Sequence, residues 1–173
     1  MKKNPWIVLC IITIIAGLVL GVTDMITREP IKHQEELALQ ESLNKVVPGA
    51  EFTALETPAG LDGLYEAKKG DEVVGYVGKV TVTGYKPGIV IVMGIDMEGK
   101  VIGIDVGGTS FSETAGLGTK TKEPAFTGQF IGLEASPEAG ENVDTISGAT
   151  ISSTAVIGGT KTIYDAIAPM LGE

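Results

Sequence analysis

The chain has 173 residues and a formal net charge of −9 at pH 7. This length leaves room for one membrane segment and one domain of ordinary size with its own hydrophobic core. The charge argues against a nucleic-acid partner, because Lys and Arg neutralise phosphate backbones, and no basic stripe follows residue 32. The 24 glycines predict many tight turns or close backbone approaches.

An uncharged apolar run extends from Trp6 to Val22. At about 1.5 Å per residue, such a helix reaches most of the way across a hydrocarbon core of about 30 Å, and its neighbours extend it. We therefore predict a transmembrane anchor over residues 1–28. Lys2 and Lys3 precede the run, so the positive-inside rule puts the N-terminus in the cytoplasm and the domain on the extracytoplasmic side. A cleaved signal peptide is the alternative, but the run is long and no Ala-x-Ala site follows it.

Residues 29–49 are predicted to form a juxtamembrane helix and linker, because Leu39, Leu43 and Val46 recur at helical spacing before Pro48-Gly49. No metal site is expected. The only cysteine, Cys10, lies within the apolar run, and a single histidine, His33, leaves a zinc site without ligands.

Residues 50–173 are predicted to form one domain. Alternating apolar residues separated by turns indicate an antiparallel sheet, and the fold class is α+β with flanking helices. The predicted strands are Leu64–Lys68, Val73–Thr83, Ile89–Met97 and Val101–Val106.

A helix is predicted to begin at or next to Thr150, where an apolar period of about 3.6 residues starts. The first turn of a helix offers unpaired N–H groups and a positive dipole end, which suit a phosphate. Gly148 and Ala149 leave the approach clear. Candidate hydroxyl donors are Ser147, Ser152 and Ser153. On spacing alone, an ordinary turn ending in an N-cap is the favoured alternative.

The segment Asp144-Thr145-Ile146-Ser147-Gly148-Ala149-Thr150 resembles the flavinylation motif of the FMN-binding domain family, Asp-x-x-Ser/Thr-Gly-Ala-Thr/Ser. The resemblance implies that Thr150 carries FMN through a phosphoester, made by a flavin transferase that uses FAD. Asp144 would either cap the turn or present the acceptor to the metal of the transferase.

A second segment, Glu113-Thr114-Ala115-Gly116-Leu117-Gly118-Thr119, is similar to the family's His-x-Glu-Thr-Pro-Gly-Leu-Gly loop. The resemblance implies FMN contacts from Glu113, Thr114, Gly116, Leu117, Gly118 and Thr119. Phe111 replaces the family's histidine, and Ala115 replaces its proline. Tyr85, in a turn that partly matches another family segment, is a weaker candidate. Phe126 and Phe130 resemble the family's Phe-x-x-Gln-Phe segment and are predicted to be core contacts.

The order of all these segments resembles the G-subunit family of the Rnf complex, an ion-translocating ferredoxin:NAD⁺ oxidoreductase. The resemblance implies a membrane-anchored electron carrier that is not catalytic alone and that assembles with the other Rnf subunits. Three alternatives stay open. They are the related C-type subunit of the sodium-translocating NADH:quinone oxidoreductase, a membrane-tethered FMN-binding sensor without electron relay, and a structural protein whose glycine-rich loops serve packing only.

Overall fold

The computed structural model describes residues 4–172. The chain separates into two compact units, Met1–Leu37 and Ala38–Glu173. Lys2 and Lys3, on which the predicted membrane orientation rests, lie outside the described residues.

The first unit consists of helix α1 (Pro5–Val46) up to Leu37, and its apolar side chains are exposed. By length and composition, α1 can cross a membrane. The hydroxyl of Thr13 donates to Leu9 O at 2.7 Å, which supplies a partner for a polar group within the apolar run. The predicted anchor and juxtamembrane helix form one continuous helix. Pro30 removes one backbone donor without ending it.

The second unit contains a five-stranded antiparallel sheet in the order β1-β2-β3-β4-β5. This arrangement confirms the predicted fold class. Four strands match the predicted ones closely, and β1 was not predicted. The strands are β1 (Glu51–Ala54), β2 (Gly63–Lys69), β3 (Glu72–Thr83), β4 (Pro87–Asp96) and β5 (Val101–Gly107). Short 3₁₀ helices (Gly118–Lys122 and Ala168–Gly172) and two further α-helices follow, α2 (Pro124–Thr127) and α3 (Thr150–Ile167).

Helix α3 covers one face of the sheet. Alternate residues of β4 point towards it, because side chains of a strand alternate between the two faces. Phe126 and Phe130 complete this core with ring centroids 5.5 Å apart in an edge-to-face arrangement, as predicted. The main buried residues on this face are Ile89, Ile91, Met93 and Ile95 of β4 with Val156, Ile157, Ile163 and Ile167 of α3.

The end of α1 covers the other face, where Leu43, Val46 and Val47 pack against Val77 and Val92. A pair of glycines makes this approach possible, since Gly94 of β4 and Gly103 of β5 are direct partners in the sheet. A Cβ atom at Gly103 would lie 2.8 Å from Val46 Cα, so the helix backbone rests directly on the strand.

We expect Gly103→Ala to lower the free energy of unfolding by about 1–3 kcal/mol, the usual range for overpacking a well-packed core. The obstacle is backbone, which cannot rotate away. Urea unfolding of the full chain in detergent, followed by circular dichroism, measures the change. Gly158→Ala is the matched control, because nothing lies within 4 Å of a Cβ at this exposed helix position. It should be neutral or slightly stabilising. Equal losses in the two variants would contradict the role assigned to Gly103.

Candidate functional site

Helix α3 begins at Thr150, which confirms the predicted helix start. The N-cap position is Ala149, and no side chain there accepts a hydrogen bond from the first turn. Among residues 4–172, the amides of Thr150, Ile151 and Ser152 have no hydrogen-bond partner. The structure therefore does not support the N-cap alternative. It leaves three N–H groups at the positive end of the helix, an arrangement that suits an anion.

The turn in front of α3 is fixed by Ser153. Its hydroxyl donates to Ala149 O at 3.0 Å and accepts from the amide of Ile146 at 3.1 Å. Gly148, at φ +80°, takes the left-handed conformation that this turn requires. Ser153 was predicted as a phosphate donor. It is fully buried and its hydroxyl serves the turn, whereas the side chain of Thr150 remains exposed.

A cavity of about 520 Å³ lies beside the exposed Thr150, within the size range of small-molecule and cofactor sites. Three separate segments form its walls: the turn between β3 and β4, the loop of residues 113–119 (the glycine-rich loop) and the start of α3. The structure thus brings together most of the residues predicted from the two motifs. The lining residues are Tyr85, Thr114, Leu117, Gly118, Gly148, Ala149, Thr150, Ile151 and Ser152.

The rim of the cavity is apolar and open to solvent. Tyr85, Leu117 and Ile151 are 66%, 44% and 62% exposed. Ile151 was not predicted. A helix turns by about 100° per residue, so Ile151 lies roughly 120–160° around α3 from the buried Ile163 and Ile167. Its side chain therefore points away from the core. An isoleucine directly after Thr150, out of phase with the apolar face of α3, is the signal that would have found it.

Glu113 lies behind the cavity wall. Its carboxylate is only 7% exposed and accepts two hydrogen bonds, from the Lys86 amide at 2.8 Å and from the Ser152 hydroxyl at 2.9 Å. Glu113 and Ser152 were both predicted as cofactor contacts. Both oxygens of Glu113 bind protein groups, and Ser152 lines the cavity while its hydroxyl points to Glu113.

Four other predicted residues, Gly116 among them, do not line the cavity. The hydroxyl of Thr119 accepts from the Gly116 amide at 2.9 Å, which closes the glycine-rich loop on itself. Ser147 is exposed at the tip of its turn. Asp144 borders a smaller cavity of about 140 Å³. Its amide donates to Gln129 Oε1 at 2.8 Å, so Gln129 fixes the backbone at the start of the motif.

The two departures from the family motif lie outside the cavity lining. Phe111 is half-buried against the α3-side core, and the ammonium of Lys122 lies 4.6 Å from the centre of its ring. Ala115 is exposed in the glycine-rich loop. Neither Phe111 nor Ala115 is among the residues that line the cavity.

Comparison with known proteins places this architecture in a family. The model of the FMN-binding domain matches residues 84–165, which include all three walls of the cavity. The G-type subunit of the ion-translocating oxidoreductase complex of Haemophilus influenzae is 32% identical over 170 residues, covering 88% of this chain and 81% of the relative. The chain belongs to this G-subunit family.

A second relative and a solved structure are also similar to this chain. The G-type subunit of the proton-translocating ferredoxin:NAD⁺ oxidoreductase complex of Clostridium ljungdahlii is 27% identical, covering 95% of this chain and 90% of the relative. The crystal structure of the C-type subunit of the Na⁺-translocating NADH-quinone reductase from Parabacteroides distasonis has a TM-score of 0.53 at 20% identity. The match covers 64% of this chain and 63% of that chain, and it shows a shared fold.

We expect Ser153→Ala to lower the free energy of unfolding by about 1–2 kcal/mol, because the half-buried turn loses its link to the Ile146 amide. Urea unfolding of the full chain in detergent measures the loss. Thr154→Ala is the control, since Thr154 is the exposed neighbour on the same helix. A Ser153 variant as stable as the Thr154 variant would show that the turn does not depend on this hydroxyl.

Proposed function

We propose that this chain is a membrane-anchored electron-transfer subunit of an ion-translocating ferredoxin:NAD⁺ oxidoreductase (Rnf) complex, and that it carries FMN through a phosphoester to Thr150. One observation carries the proposal. The exposed Thr150 stands at the uncapped start of α3, beside a cavity of cofactor size. The match to the FMN-binding domain supports FMN as the cofactor. Membership of the G-subunit family supports a place in the complex.

The residues present fit the phosphate end of FMN. Three free amides at the start of α3 suit the single negative charge that the phosphate keeps in the diester, and Gly148 on the cavity wall adds no side chain that would obstruct it. Transfer from FAD joins the Thr150 oxygen to the phosphorus of the FMN moiety, breaks the pyrophosphate bond and releases AMP. The proton of the Thr150 hydroxyl leaves in the same reaction. This step requires a flavin transferase as a partner during maturation.

The other walls fit a flat, largely apolar ring. Leu117 and Ile151 offer aliphatic surface, and Tyr85 offers an aromatic face at the cavity mouth. When bound, FMN supplies the redox chemistry, and the protein contributes position and surroundings. The residues of the cavity walls would hold the flavin and leave the mouth of the cavity open towards neighbouring subunits.

The proposed membrane arrangement rests on α1 for the anchor and on Lys2 and Lys3 for the orientation. Residues 1–28 anchor the chain, residues 29–49 link the anchor to the domain, and residues 50–173 lie on the extracytoplasmic side. One apolar helix cannot enclose an ion path, so we assign ion translocation to partner subunits that span the membrane several times.

We predict that Thr150→Ala abolishes covalent flavin while the domain stays folded, and that Thr150→Ser retains part of it, because only a hydroxyl can form the ester. The full chain is produced together with an active flavin transferase. Intact mass then reports an adduct of one FMN less one water, and peptide mapping locates it. An adduct that persists in Thr150→Ala would move the acceptor to Ser147, Ser152 or Ser153.

We also predict that the domain faces outward. In a Cys10→Ser background, a cysteine introduced as Glu98→Cys, in the exposed β4–β5 turn, should react with a membrane-impermeant maleimide on intact cells. Asn4→Cys, before the apolar run, should react only after lysis. The reverse pattern would place the flavin on the cytoplasmic side.

A further inference from the structure

A buried carboxylate stands where the three walls of the flavin cavity meet. We infer that Glu113 is a positioning residue that joins these walls through its two oxygens and that its charge lowers the reduction potential of a flavin in the cavity. The inference about potential rests on the proposed function. The inference about the walls does not.

The hydrogen bonds of Glu113 join three segments of the chain. Glu113 belongs to the glycine-rich loop, Lys86 to the β3–β4 turn, and Ser152 to the first turn of α3. One oxygen accepts from the Lys86 amide and the other from the Ser152 hydroxyl. A carboxylate that accepts at both oxygens links three segments that are distant in sequence. Their relative positions define the cavity.

The carboxylate of Glu113 packs against two glycines. A Cβ atom at Gly84 would lie 2.8 Å from Glu113 Oε1 and 3.2 Å from Ser152 Cα. A Cβ atom at Gly118 would collide with Glu113 Oε2 and lie 3.0 Å from Ser152 Oγ. Two glycine backbones therefore pass close to the carboxylate, and a side chain at either position would displace it.

The carboxylate of Glu113 also brings a negative charge close to the cavity. Within the described residues 4–172, Glu113 takes part in no ion pair, and two hydrogen bonds and the dipole of α3 stabilise its charge. Ser152 touches both Glu113 and the cavity, which puts the carboxylate one residue behind the wall. In such a poorly hydrated place a fixed negative charge acts strongly. It disfavours the addition of electrons to a group in the cavity.

The first experiment measures hydrogen exchange of the Lys86 amide by NMR on the full chain in detergent, without flavin. We expect Glu113→Gln to keep this amide protected, since the amide oxygen of Gln still accepts its bond. Glu113→Ala should raise the exchange rate at least tenfold. If Glu113→Ala does not fold, Glu113→Asp replaces it, because the shorter side chain cannot reach both partners. Unchanged protection in the truncated variant would overturn the link between the walls.

The second experiment measures the midpoint potential of the flavinylated full chain by spectroelectrochemistry. Glu113→Gln should raise the equilibrium constant for two-electron reduction about tenfold, a shift of about +30 mV. Glu98→Gln makes the same chemical change at the exposed β4–β5 turn and should leave the potential unchanged. An unchanged or more negative potential in Glu113→Gln, or an equal shift in both variants, would overturn the electrostatic role.

The two experiments separate this inference from the proposed function. If the native chain acquires no flavin from an active transferase and FAD, the proposed function fails and the claim about potential fails with it. The exchange rate of the Lys86 amide still decides whether Glu113 joins the walls.

Discussion

The site depends on how the first turn of α3 is left open. Helix starts in proteins usually have a side-chain oxygen that accepts from the free amides. Here Ala149 occupies the capping position, Ser153 uses its hydroxyl for the preceding turn, and the Ser152 hydroxyl donates to Glu113. The hydroxyls of Ser152 and Ser153 therefore bond other groups and do not cap the helix. Without a ligand these amides are left to water, and a phosphate would offer them a charged acceptor.

The sheet makes this open helix start into a cavity. Helix α3 packs along β3 and β4, the hairpin between those strands carries Tyr85 to one side of Thr150, and the chain after β5 returns with the glycine-rich loop to the other. The sheet and α3 have regular hydrogen bonding, whereas both loops are irregular. The Glu113 carboxylate supplies the missing connection between them. A residue that looked like a ligand contact in the motif is better placed to fix the geometry of the residues that make contact.

The parts that sequence reasoning found are those with local signals. Strands β2 to β5 were indicated by alternating apolar residues between turn residues. The start of α3 was indicated by the onset of an apolar period of about 3.6 residues. The short, mostly exposed strand β1 has neither. The sequence also could not predict which partner each hydroxyl bonds, because Ser152 and Ser153 are adjacent and identical in type. One reaches a carboxylate 39 positions away and the other an amide seven positions away. Only the folded chain shows which of them faces the cavity.

An open cavity is a weak way to retain a cofactor by affinity alone, since tight small-molecule sites bury most of the ligand. The exposed rim of Tyr85, Leu117 and Ile151 would leave a large part of a flavin ring uncovered. The proposed ester resolves this conflict, because a tethered flavin needs no burial to stay bound. The protein can then keep the rim open for a neighbouring subunit to approach. The uncapped helix start and the uncovered rim are therefore two consequences of the same requirement, a cofactor that is fixed at its phosphate and accessible at its ring.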